Sequence, residues 1–93
     1  MIVFKIEFIL LHRYVGSLKE KRKITKSLIQ KLKQDFNLSV LESGDLDDLK
    51  QSNILVAGIT SSIQKSHNKK EQILNFIENN YSVEIIDVIF EIV

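Results

Sequence analysis

Apolar residues occupy every second position from Ile2 through Phe4, Ile6 and Phe8 to Leu10, while Val3, Lys5, Glu7 and Ile9 point the other way. Strict alternation of this kind predicts a half-buried strand. Gly16 breaks the pattern, and the period then changes. Ser17 and Glu20 match the Ser-x-x-Glu capping box that opens a helix. At about 100° per residue, Ile24, Leu28, Leu32 and Phe36 form one apolar stripe, widened by Ile29 and Leu18. The helix is expected to run to about Phe36, with Asn37 ending it.

The same change of period then repeats. Residues 38–43 read as a second strand, with Leu38 and Val40 sharing a face, and Gly44 to Ser52 reads as a polar connection. Asn53 to Ser61 contains Ile54-Leu55-Val56-Ala57, apolar on both faces as a central strand requires. A second helix is expected between Ile63 and Asn80, with Ile73, Leu74 and Ile77 turned inward. A last strand from about Ser82 to Val93 would place Ile86, Val88, Phe90 and Ile92 on one face. The order strand-helix-strand-strand-helix-strand, with right-handed crossovers, predicts an α+β, ferredoxin-like βαββαβ fold. It would form a single domain over residues 1–93, a four-stranded antiparallel sheet with two helices on one face. The first and third strands would be central. The open face would carry Val3, Lys5, Glu7, Ile9, Ile85, Asp87, Ile89 and Glu91.

Charge is distributed unevenly along this frame. From His12 to Lys33, eight bases stand against Glu20 alone, whereas residues 34–93 carry four bases and ten acids. The formal net charge of +1 therefore hides a strong polarity, and a polyanion is the natural partner of the basic end. The chain has no cysteine, which excludes disulfides, thiolate metal sites and thiol catalysis. Met1 to Leu11 is interrupted by Lys5 and Glu7 and lacks the basic start and cleavage site of a signal peptide. No run reaches the roughly twenty apolar residues that span a bilayer. A cytoplasmic protein without membrane contact is expected.

On a helical wheel, Lys19, Arg22, Lys23, Lys26 and Lys33 share a sector roughly opposite the apolar stripe. The bland alternative is a solvated outer face. Against it, acidic residues at i±4 are almost absent, so the face is not laced with ion pairs. Lys19, Lys21 and Arg22 also stand near the helix start, where the dipole disfavours cations. Lys21 falls at the azimuth of the apolar stripe, so its ammonium must snorkel out or meet an acid. These costs point to an anion at the helix start, where Ser17 and free backbone N–H groups already favour phosphate. Arg13 would add charge from the preceding loop.

The string Ser17-Leu-Lys-Glu-Lys-Arg22 after a first strand, then a helix ending in Phe36-Asn-x-Ser-Val, resembles the YlxP-like bacterial proteins, a domain of unknown function. The resemblance continues through Glu42, Gln51 and the closing Glu84-Ile-Ile-Asp87-Val strand. It implies a ferredoxin-like fold. Genes of that family tend to lie among those for transcription elongation and translation initiation, which implies a ribosome- or RNA-linked role. Many relatives carry a Trp-Gln pair before the third strand, where this chain has Leu49-Lys50-Gln51.

Other candidate sites are weaker. Asp45, Asp47 and Asp48 crowd three carboxylates into four residues, but their spacing fails the EF-hand pattern, and aspartates capping a short turn are expected instead. His12 and His67 are the only histidines, and His67 is expected at the inner edge of the second helix. RNA-recognition domains share this topology but stack bases on central-strand aromatics, and the matching positions here hold Lys5, Glu7, Leu55 or Ala57. Acylphosphatases also share it, yet their Gly-x-Val-Gln-Gly-Val cradle is missing around Arg13, Gly16 and Ser17, and Asn37 alone stands in for a catalytic Asn. No enzyme, metal or cofactor is predicted. The expectation is an accessory protein binding RNA or a ribosomal particle electrostatically, in translation or ribosome maturation. Arg13, Ser17, Lys19, Lys21, Arg22, Lys23, Lys26 and Lys33 would line the site. The second expectation is a protein-interaction module that holds an acidic protein and dimerises through the open sheet face or an edge strand.

Overall fold

A computed structural model describes residues 1–93. It comprises β1 (Ile2–Leu11), α1 (Leu18–Asp35), β2 (Ser39–Ser43), β3 (Gln51–Thr60), α2 (Ile63–Asn80) and β4 (Glu84–Ile92). The strands form one antiparallel sheet in the order β2-β3-β1-β4, the ferredoxin-like arrangement. β1 and β3 are central, as their apolar content requires.

The alternation in β1 sends Phe4, Ile6, Phe8 and Leu10 into the core, each no more than 1% exposed. Ile54 and Val56 from β3, Leu28 and Leu32 from α1, Ile73 and Ile77 from α2, and Leu38 just before β2 complete it. Gly58 lies directly beneath this packing: a Cβ there would stand 2.7 Å from Phe4 Cζ and 2.8 Å from Leu38 Cδ2. Both helices start on serine caps. Ser17 Oγ accepts the Glu20 N–H at 3.2 Å, and Ser62 Oγ accepts that of Lys65 at 3.1 Å. Asn37 takes the left-handed conformation (φ 53°) just past α1, a role asparagine tolerates well.

Three expectations need correction. Leu38 is buried but precedes β2, and Gln51 and Ser52 open β3 rather than closing a loop. In β4 a register shift opposite Ile9 and Leu10 inserts one extra residue, so Ile85 pairs with Leu10 and packs on the core while Ile86 is 48% exposed. The bulge reverses the facing of those two isoleucines. From Val88 onward the expected alternation resumes.

Candidate nucleic-acid interface

The row of α1 that points inward is Lys21, Thr25, Leu28 and Leu32, an i, i+4, i+7, i+11 series. Lys21 is therefore 1% exposed, and its ammonium donates to the backbone carbonyl of Asp48 in the β2–β3 loop. Lys21 therefore neither snorkels out nor lines the anion site expected at the helix start. A cation this deep must be hydrogen-bonded to persist, and the loop supplies the acceptor. The Asp48 carboxylate accepts the N–H groups of Lys50 (2.9 Å) and Gln51 (3.2 Å), and Asp45 accepts that of Asp47 (3.0 Å). The Asp45 and Asp48 carboxylates thus order the turn.

Beside Lys21 lies His12, fully buried at the end of β1, with Nε2 2.8 Å from Ser52 Oγ and Nδ1 without a partner. Burial lowers the His12 pKa, the Lys21 charge lowers it further, and Asp48 partly offsets both. The signal for this burial was in the alternation: His12 continues the even-numbered face of Phe8 and Leu10, and Ser52 that of Ile54 and Val56. By contrast, His67 on α2 is exposed, its ring 4.7 Å from that of Phe90.

The helix start is filled by the chain itself. Glu20 returns its carboxylate to the Gly16 N–H at 2.9 Å while Ser17 takes the Glu20 N–H, closing both arms of the capping box. An anion expected there meets a carboxylate already in place. Arg13 is also engaged, donating from Nε and one terminal nitrogen to the two Glu84 oxygens at 3.0 and 2.9 Å. This fork holds the Glu84 carboxyl below its ordinary pKa and raises that of Arg13. Arg22 meets Asp47 at 3.2 Å, but both side chains are more than 60% exposed, so the pair is weak and exchangeable.

What remains is the flank of α1. Lys19, Lys23, Lys26 and Lys33 share it, Lys31 stands on the other side of the helix, all five are exposed, and none has a carboxylate within ion-pair distance. Lys19, Lys26 and Lys33 repeat every seven residues, a nearly straight row with steps of about 10 Å at a rise of about 1.5 Å per residue. A groove runs alongside, with Lys26, Gln30 and Lys33 on the α1 wall and Glu42, Leu46 and Asp47 opposite. In the loop that enters α1, the Tyr14 side chain is 81% exposed and makes no hydrogen bond. Tyr14 is not among the residues expected from the sequence to line the site. Its only signal was an aromatic placed beyond the end of the β1 alternation.

The family model described as "Protein of unknown function (DUF503)" matches residues 3–89. The chain belongs to this family. It is 30% identical over 69 residues to the protein named "Uncharacterized protein YlxP" of Bacillus subtilis (strain 168), covering 74% of this chain and 75% of that one. The YlxP-like resemblance thus extends over most of the chain. No helix is long and apolar enough to cross a membrane.

Proposed function

We propose that this DUF503 protein is a small accessory protein that binds structured RNA or ribonucleoprotein through the flank of α1, in translation or ribosome maturation. One observation carries the reading: five exposed lysines on a single helix, all without acidic partners. Five like charges on one 18-residue helix repel one another, and a polyanion relieves that repulsion by releasing its own counterions. The contacts fall on Lys19, Lys23, Lys26 and Lys33, with Arg22 able to exchange Asp47 for a phosphate. Lys21, Ser17 and Arg13 support the fold around the surface.

These cations recognise phosphate without reading sequence. Tyr14 adds an exposed ring in the loop that enters α1, suited to stack on an unpaired base beside a duplex. The reading assigns no catalysis, metal or cofactor. Fluorescence anisotropy with a labelled RNA hairpin tests it, comparing the wild type with a Lys19/Lys23/Lys26/Lys33→Glu variant. Because the chain has no Trp and only two tyrosines, a Tyr81→Phe background leaves Tyr14 as the sole tyrosine reporter. Salt-sensitive binding that quenches Tyr14 and disappears in the variant is expected. Binding of equal strength in the charge-reversed variant would refute the proposal.

A further inference from the structure

The sheet face turned away from the helices has no covering element. It exposes Leu41 (63%), Ile59 (67%) and Ile89 (46%), with Leu55 and Ala57 half-buried among them. Charge sits at its centre. Lys5 faces outward on β1 and reaches Glu91 on β4 at 3.2 Å. Glu7, two residues along, has no cation within ion-pair distance, and its cross-strand neighbours are Leu55 and Ile89. A carboxylate flanked by apolar residues needs a cation wherever that face becomes covered.

We infer that a second copy of this chain covers the face. The two copies are related by a two-fold axis that lies between their sheets and crosses β1 at Ile6. Turned end for end about that axis, Lys5 meets the partner's Glu7 and Glu7 meets the partner's Lys5. On the same operation Val3 lies over the partner's Ile9, and Leu55 over the partner's Ala57. The face is its own complement, which is what an isologous interface requires.

An edge-to-edge dimer is the poorer solution. β2 offers only five residues. β4 is interrupted by its bulge and lined with Glu84, Asp87 and Glu91, and the Asp87 carboxylate takes the Val88 N–H at 2.9 Å. Bulges and charges of this kind blunt an edge. The size of the face places such a dimer among the smaller interfaces. Four strands about 4.8 Å apart and roughly 30 Å long give on the order of 500 Å² per copy, or about 1,000 Å² in total. That lies below the roughly 1,200 Å² at which stable specific interfaces begin, so the dimer is reversible. Since α1 lies on the other side of the sheet, the inference is independent of RNA binding.

Sedimentation velocity over a concentration series from about 1 μM to 1 mM tests it. The apparent mass should rise from 10.8 kDa toward twice that value. Glu7→Lys places like charges across the axis in both pairs and should weaken association at least tenfold, as should Lys5→Glu. An equimolar mixture of the two variants sets a cation against a carboxylate in both cross-axis pairs, and should associate again. Circular dichroism confirms that each variant is folded. A monomer at every concentration overturns the inference. So does a dimer indifferent to Glu7→Lys, or a mixture that fails to associate.

Discussion

Mild acid should destabilise this protein through His12. The imidazole is fully buried, Nδ1 has no partner, and the Lys21 ammonium lies nearby. Its folded pKa is held below 6.5, first by burial and then by Lys21. Unfolded, the same side chain takes a proton near its ordinary value of about 6.5. Between the two values the unfolded state binds more protons, so stability is complete above about pH 6.5 and falls as pH drops below it. For one such group the ceiling on this loss between pH 7.5 and 5.5 is about 1.4 kcal/mol. In urea titrations that ceiling corresponds to a midpoint shift on the order of 1 M. His12→Leu removes the titrating group, and although the variant also forfeits the Ser52 hydrogen bond, its midpoint should change far less over the same interval. Equal pH dependence in His12→Leu and wild type, or a wild type flat from pH 7.5 to 5.5, would refute the reasoning.

Two further outcomes follow from the packing of α1 and β3. Lys26→Ala should reduce the slope of log affinity against log salt for RNA by about 0.7 to 0.9, one phosphate contact, whereas Lys21→Met should leave the slope unchanged while shifting the thermal midpoint. Titrations at four salt concentrations separate the two. Gly58→Ala should destabilise by about 1–3 kcal/mol, because its Cβ would enter the space of Phe4 Cζ and Leu38 Cδ2. Chemical denaturation measures this, and a neutral result would mean that the Phe4 ring relaxes freely.

The parts of the fold governed by local periodicity were legible in the chain. The alternation of Phe4, Ile6, Phe8 and Leu10, the Ser17–Glu20 capping box and the Asn37 helix end all report short-range physics, and each stands where the residues put it. The β4 bulge was not legible, because Ile85 and Ile86 are chemically identical and only the pairing with Leu10 decides which turns inward. The candidate site divides in the same way. The azimuth of Lys21 correctly signalled conflict with the apolar stripe, but its acceptor, the Asp48 carbonyl, lies 27 residues away across a loop. Arg13 and Glu84, 71 residues apart, meet only because β4 lies next to β1. Counting charge along the chain therefore found the basic helix, while deciding which of its cations are free required the tertiary contacts that occupy the rest.

The central claim is that the free lysines of α1 hold RNA or ribonucleoprotein, and co-sedimentation with ribosomal subunits at low and high salt tests it most directly. Wild type should pellet with a subunit at low salt and be released at high salt. Lys19/Lys23/Lys26/Lys33→Glu, folded by circular dichroism, should remain in the supernatant at both. Absence of wild-type binding, or binding that survives the charge reversal, would contradict the account and leave the basic flank a solvated surface.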